Sequence, residues 1–361
     1  MMRRGKHWVS QLAVSHVSAA EEPAALPFAF HGSASEYFRI WIVNLCLTVV
    51  TLGLYAPWAK VRTRRYFAAN LRVGGSAFDY DADPVRILIG RLIVLAGFGV
   101  YSLVNWFSPS TSVALAIGTL MLFPAAAVRS TAFHHRHTLF RGIRFRFSAP
   151  YVDAANVLLV GPILATISLG LALPWWYARR QAFVVEHSAY GSSGFEFDRS
   201  VKPYYRLFAK ASLPVAAGLV IGVVGLVALK GSLPDRSSAG FALAGLGLPL
   251  LAGLAFAVAI GQAGLTNLLY RNARVGDLRF HSELRAQPLA WLFVTNALAV
   301  ILTLGLATPW ASVRLARFRA DALSLVAPSG LDAFAQASEP AGGLGELASE
   351  TADLFDFDLG L

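Results

Sequence analysis

Apolar and polar positions alternate along this chain on two length scales. Four plain apolar runs, Val85–Phe107, Thr111–Val128, Ala211–Leu229 and Ala239–Ile260, carry few charges. Each approaches the ~20 residues with which a helix crosses a bilayer core. They form two pairs, the first joined by Ser108-Pro109-Ser110 and the second by a loop with Lys230, Asp235 and Arg236. Three further apolar runs end in one repeated pattern: Thr51-Leu52-Gly53-Leu54-Tyr55-Ala56-Pro57-Trp58, Ser168-Leu169-Gly170-Leu171-Ala172-Leu173-Pro174-Trp175 and Thr303-Leu304-Gly305-Leu306-Ala307-Thr308-Pro309-Trp310. An Arg follows each Trp by four residues (Arg62, Arg179, Arg314), and an aromatic follows that Arg by four more (Tyr66, Phe183, Phe318). The pattern predicts an apolar helix that reaches the membrane surface. Gly loosens its last turn, Pro drives the preceding residue out of the helical region, and Trp seeks the headgroup level. Arg and the aromatic then share one face of a second, interfacial helix. As a structural motif, these twelve Gly, Pro, Trp and Arg positions read first as a well-made helix end, with a functional hinge as the alternative.

A second repeat alternates with the first: Asn or His, seven residues that include Gly, then Phe, any residue and usually an aromatic. Its copies are Asn70…Phe78-x-Tyr80, His137…Phe145-x-Phe147, His187…Phe195-x-Phe197 and Asn272…Phe280-x-Ser282, with Phe28-x-Phe30 as a half copy. Period-two aromatics after a Gly turn predict short β-hairpins. The fold class expected is therefore a mainly α, polytopic membrane protein built from internal repeats, with short hairpins lying on the membrane surface.

Composition agrees with a membrane location. Charged residues make up 14% of the chain against a mean hydropathy of +0.54, where soluble domains carry roughly 25% charge. This excludes an ordinary soluble enzyme, a disulfide scaffold and disorder. The formal net charge is +10, yet from Ser329 onward there are seven acids and no Lys or Arg. The body is strongly basic, which suits anionic headgroups on the cytoplasmic side. No nucleic-acid module accompanies that charge, so nucleic acid is not an expected partner. Residues 1–27 read as a flexible basic leader, since Ser10, Gln11, Ser15 and His16 interrupt any signal-peptide core. Residues 28–327 read as one repeat-built membrane domain with units of about 28–133, 134–269 and 270–327. Residues 328–361 read as an acidic, disordered tail, whose Leu354–Leu359 segment alternates apolar and acidic residues and reads first as solvated, with docking on the basic body as the alternative. Cys46 is the lone cysteine and reads as an inert thiol.

The order Phe28-x-Phe30, Glu36-Tyr37-Phe38, Asn44, Thr51–Trp58, Arg62…Tyr66 and Asn70…Phe78-x-Tyr80 resembles the YjgN family of bacterial inner-membrane proteins, whose conserved region is a domain of unknown function. The resemblance runs from about Phe28 to Ala320. It departs in the second unit, where Gly161-Pro162 replaces Asn and Ser168 replaces Thr. It implies an inner-membrane location and supplies no catalytic or binding residues.

Candidate chemistry is sparse. His134, His135 and His137 are the densest potential ligands, but Arg136, Arg141, Arg144 and Arg146 surround them without a nearby acid. A cationic surface explains them better than zinc, and turn capping explains the Asn/His repeat position better than acid–base work. Gly191-Ser192-Ser193-Gly194 lacks the spacing of a nucleophile elbow. No catalytic, cofactor-binding or metal-binding residue is assigned, and the chain is read as a non-enzyme. Polar residues in apolar spans are costly and therefore informative. Asn44, Asn156 and Asn296 are the possible intramembrane polar contacts, as helix-packing glue or as substrate contacts. A shared polar cavity among them would favour transport, and a closed apolar interior a scaffold. The leading reading is a membrane scaffold or envelope-assembly factor with a basic cytoplasmic face; the alternative is a transporter or channel for a small solute or lipid. Anionic lipids are the expected partners, protein partners stay open, and an oligomer is compatible. Gln at Arg62, Arg179 and Arg314 together is expected to lower stability without abolishing insertion.

Topology carries two competing arguments. Seven single crossings make the second unit inverted relative to the first, as in transporters, but spread Lys and Arg almost evenly over both sides. Re-entrant Pro-Trp segments place every hairpin on one side and leave only Lys230 and Arg236 opposite. The positive-inside rule favours this one-sided arrangement. Cysteine labelling at 75, 142, 194 and 276 separates the two.

Overall fold

The computed structural model describes residues 25–230 and 243–339. Ten short strands among them close into one antiparallel barrel. Strands consecutive in sequence are joined at one end of the barrel by a helical arch or at the other by a tight turn. The first arch, α1 (Ala34–Val50) and α2 (Ala56–Asn70), leads from β1 (Ala25–Phe30) to β2 (Leu71–Val73). The second, α3 (Pro84–Phe107) and α4 (Pro109–Arg136), links β3 (Ser76–Tyr80) to β4 (Thr138–Phe140). The third, α5 (Tyr151–Ile167) and α6 (Leu173–Glu186), links β5 (Ile143–Phe147) to β6 (Ser188–Tyr190). The fourth, α7 (Lys202–Lys230) and α8 (Leu248–Asn272), links β7 (Ser193–Phe197) to β8 (Ala273–Val275). The fifth, α9 (Ala286–Leu302) and α10 (Thr308–Asp321), links β9 (Leu278–Ser282) to β10 (Leu323–Val326), which pairs with β1. Neighbouring arches touch in sequence order, and α10 packs back on α1. A meander of this kind puts all five arches at one end of the barrel.

Side-chain alternation explains why the barrel is packed rather than open. Phe28, Val73, Phe140, Ile143, Tyr190, Val275, Leu278 and Leu325 face inward and are buried. Between them, Arg72, Arg144, Arg146, Arg274 and Arg279 face outward and are exposed. A charged exterior around an apolar interior is the reverse of a lipid-facing barrel. The barrel therefore stands in water, beside the membrane rather than across it. Among the described residues four helices, α3, α4, α7 and α8, are long and apolar enough to cross. They form the second and fourth arches; the first, third and fifth are shorter.

The hairpins expected on the membrane surface are corrected by this closure. Two isolated strands leave N–H and C=O groups unpaired on both edges. Joining all of them into one ring pairs every edge. The half copy Phe28-x-Phe30 is half of a split hairpin, and β10, which carries no aromatic signature, is the missing half. The structural unit is accordingly strand–arch–strand, repeated five times, where the sequence suggested three units. The expected interfacial helices also change place: α2, α6 and α10 pack antiparallel to the helix before them and return to the barrel.

Both ends shift as well. β1 already begins at Ala25, inside the segment read as leader. Part of the segment read as a disordered tail forms a helix, α11 (Leu331–Ser338), over the tight-turn end of the barrel. Its Leu331 and Phe334 are buried against barrel residues, and Asp332 pairs with Arg141. The Ser192 N–H donates to the Ser338 carbonyl at 2.9 Å. Gly191 is required there, because a Cβ would sit 1.9 Å from that oxygen. The Leu354–Leu359 segment and the start of the Ala239–Ile260 span lie outside the described residues.

Candidate functional site: the arch tips and the barrel interior

The Thr/Ser-Leu-Gly-Leu segments are the tips of the first, third and fifth arches. At each tip the chain reverses through two left-handed residues. Leu52, Leu169 and Leu304 have φ of 51°, 52° and 50°, and Gly53, Gly170 and Gly305 follow at 93°, 90° and 95°. The glycine N–H groups donate to carbonyls five residues back, Thr48 at 2.7 Å and Ala165 and Val300 at 2.8 Å. The hydroxyls of Thr51, Ser168 and Thr303 accept from the N–H groups of Tyr55, Ala172 and Ala307 at 3.0, 2.9 and 2.9 Å. Pro57, Pro174 and Pro309 then sit in the first turn of the returning helix, where a missing N–H costs nothing. This hydrogen bonding makes the motif the turn of a helical hairpin.

A left-handed Leu costs ~1–2 kcal/mol, and the chain accepts it at three equivalent positions. These side chains are 96%, 94% and 94% exposed. Such strain at a repeated position marks a surface with a partner, and a bare Leu matches hydrocarbon. Depth follows from the spacing of charges. Ile40–Val50 separate Arg39 from the first tip on the outgoing side, a rise of ~16 Å, and Ala56–Ala59 separate the tip from Lys60 on the returning side, a rise of ~6 Å, at ~1.5 Å per residue.

Below the tips the repeat positions diverge. In the fifth arch, Arg314 donates to Thr295 Oγ1 at 2.6 Å and Asn296 Oδ1 at 3.1 Å, and lies 5.1 Å over Trp310. Asn296 Nδ2 donates to the Ala311 carbonyl at 3.3 Å. Asn44 occupies the matching position of the first arch, buried with its side-chain amide unpartnered, while Arg62 is exposed. In the third arch Gly161 takes the Asn position, and Trp176 Nε1 donates to the Val157 carbonyl at 2.8 Å. That carbonyl lies in a π-helical turn, Asn156–Val160. Asn156 is exposed there and lines a cavity of about 390 Å³ with Trp176 and Arg179. Asn44, Asn156 and Asn296 thus lie in three different arches. Arg314→Leu is expected to lower the unfolding free energy of the purified chain by ~1–3 kcal/mol, because Asn296 Oδ1 loses its donor. Arg62→Leu should stay within ~0.5 kcal/mol; chemical denaturation in detergent compares the two.

The repeat phenylalanines meet inside the barrel. Rings pack in sequence from Phe28 to Phe78 (6.5 Å) and Phe78 to Phe140 (4.6 Å), then from Phe145 to Phe195 and Phe195 to Phe280, both 6.4 Å. Tyr190 closes the gap, 5.2 Å from Phe145 and 6.3 Å from Phe140. Its hydroxyl donates to the Phe140 carbonyl at 3.0 Å, and burial pushes its pKa up, so it stays a neutral donor. Phe334 of α11 stacks on Tyr190 at 5.8 Å. The space left is an apolar cavity of about 60 Å³.

The histidines do not converge. His134 Nδ1 accepts from Tyr80 at 2.9 Å and from Arg64, His135 Nδ1 donates to the Thr131 carbonyl at 2.9 Å, and His137 Nδ1 donates to the Asp81 carbonyl at 2.7 Å. Among the described residues no three His, Cys, Asp or Glu side chains group as metal ligands. Sequence reasoning did not single out the tip leucines, Trp176, or the pair Leu331 and Phe334. The first two were visible as a shared Leu and as a concerted change, Asn to Gly with Ala to Trp, between repeat copies.

Comparison with known proteins follows this geometry. The family described as "Bacterial protein of unknown function (DUF898)" matches residues 25–354. "Inner membrane protein YjgN" of Escherichia coli (strain K12) is 32% identical over 144 residues, which cover 40% of this chain and 36% of that protein. The protein of the same name in Salmonella typhimurium (strain LT2) is 26% identical over 340 residues, 81% of this chain and 86% of that protein. No solved structure matches.

Proposed function

We propose a structural role for this chain, which belongs to the DUF898 family and, like its YjgN relatives, is a multi-pass protein of the bacterial inner membrane. It acts as a non-enzymatic membrane scaffold, holding a rigid barrel on the cytoplasmic face and anchoring it through anionic headgroups. The observation that carries this reading is the barrel interior. A ring of aromatic side chains fills it, α11 covers its outer mouth, and about 60 Å³ remains, so the barrel is a packed body with no room for a bound solute. Arg64 and Arg65 of α2 and Arg317 of α10 lie where the arches meet the barrel, and contacts with anionic lipid there are worth ~1 kcal/mol per Lys or Arg.

Two measurements test it. Proteoliposomes containing the purified chain should show no flux of small ions or sugars above empty vesicles, while the chain retains anionic lipid through detergent washing. Solute flux would overturn the scaffold. For orientation, single cysteines at Arg72, Arg146, Gly194 and Arg279, in a Cys46→Ser background, should all resist an impermeant maleimide in intact cells and react in inverted vesicles. These sites replace residues 75, 142 and 276, where glycine has positive φ and a cysteine would be strained. Labelling of any of the four from outside would sink the cytoplasmic placement of the barrel.

A further inference from the structure

The third arch departs from its two counterparts in a concerted way, and the departure leaves a charged group facing a cavity. In the fifth arch the returning Arg314 is satisfied by Thr295 and Asn296. The matching positions of the third arch are Val160 and Gly161, which offer no side-chain acceptor. Trp176 fills the vacated space: a Cβ on Gly161 would lie 2.3 Å from its ring. The fifth arch has Ala311 at that position. Arg179 nevertheless keeps its place in the repeat, exposed and lying 5.8 Å over the Trp175 ring. It has no carboxylate partner among the described residues.

The cavity of about 390 Å³ at this point has two unlike walls. One is apolar, formed by Val157, Val160, Trp175 and Trp176. The other holds Arg179 and Asn156 beside Glu186, which pairs with Arg199, and Asp153, whose Oδ2 lies 3.6 Å from His187 Nε2. Arg179 is the one arginine of this lining without a carboxylate partner, and the Asn156 amide and the Asp153 carboxylate share its wall. The π-helical turn Asn156–Val160 exists only in this one of the three short arches among the described residues, and such turns concentrate at functional sites. A volume of ~300–1,000 Å³ is usual for a small-molecule site.

We infer that this cavity is a specific site for one glycerophospholipid, whose phosphate accepts hydrogen bonds from Arg179 and Asn156 while its acyl chain follows the Val157, Val160 and Trp175 wall. The apolar wall selects a lipid over free phosphate, and the stacked Arg–Trp pair suits the headgroup level. The inference rests on the membrane placement in the scaffold reading but not on the absence of transport.

Native mass spectrometry of the detergent-purified full chain, titrated with dioleoylphosphatidylglycerol, tests it. The expected result is one lipid held more tightly than the rest, with affinity for it about tenfold lower in Arg179→Gln, an exposed position that leaves the core untouched. Dioleoylglycerol, which lacks the phosphate, should not occupy the site, and millimolar inorganic phosphate should not displace the phospholipid. The combined variant Val160→Thr, Gly161→Asn, Trp176→Ala transplants the acceptors of the fifth arch and should abolish the tight lipid while the melting temperature is kept. Equal lipid binding by wild type and Arg179→Gln, equally tight dioleoylglycerol, or displacement by phosphate would each overturn the assignment and leave the scaffold standing. Solute flux in proteoliposomes does the converse.

Discussion

Leu325→Asp is expected to abolish recovery of folded protein, whereas Val326→Asp, one residue along the same strand, is expected to be nearly silent. Leu325 is 3% exposed and pairs across the barrel with Leu26 and Phe280. A carboxylate there has no donor in an apolar interior and costs several kcal/mol even after its pKa adjusts. That is a large part of the ~5–15 kcal/mol that holds a domain folded. Val326 faces outward, opposite Ala25 and Arg279, where an acid meets water and a cation and should change stability by ~0.5 kcal/mol or less. Size-exclusion profiles of the two variants after detergent extraction give the comparison. Equal behaviour would mean that β10 does not close the barrel.

The second large effect is expected at the arch tips. Asp at Leu52, Leu169 and Leu304 together should prevent stable insertion of the three short arches. Each charge placed in the bilayer core costs up to ~2.5–3.5 kcal/mol on an insertion scale, and the three sites lie in three separate arches, where costs add. Gly at the same positions removes the left-handed strain along with the apolar side chain, two changes of opposite sign, and should insert and fold nearly as the wild type does. Urea-resistant membrane fractionation and yield of monodisperse protein report on both. Had the Pro-Trp segments crossed completely, their tips would stand in the aqueous space beyond and tolerate Asp. Normal recovery of the triple Asp variant would therefore exclude re-entrant tips.

The features legible in the sequence were those that local chemistry specifies. Thr51-Leu52-Gly53 and its two copies announce a reversal because glycine and proline restrict the backbone wherever they stand. Phe28, Phe78, Phe145, Phe195 and Phe280 announce strands because their period is two. The four long spans follow from length and apolarity alone, and the basic bias of the hairpin side pointed toward one-sided placement. The aromatic repeat could not reveal that its copies belong to one ring, because a hairpin's own residues do not say which other hairpin satisfies its edges.

The sequence by itself determined that this is a membrane protein of repeated helical and strand units, with tips, turns and strands in known places. Tertiary structure decided that five strand–arch–strand units share a closed barrel, that β10 completes it without an aromatic mark of its own, and that α11 covers the end. It also decided that the equivalent residues Asn44, Gly161 and Asn296 meet three different environments. The physical reason is range. Turn chemistry and periodicity act within a few residues, whereas edge pairing and burial depend on partners that the arches hold far away in the chain.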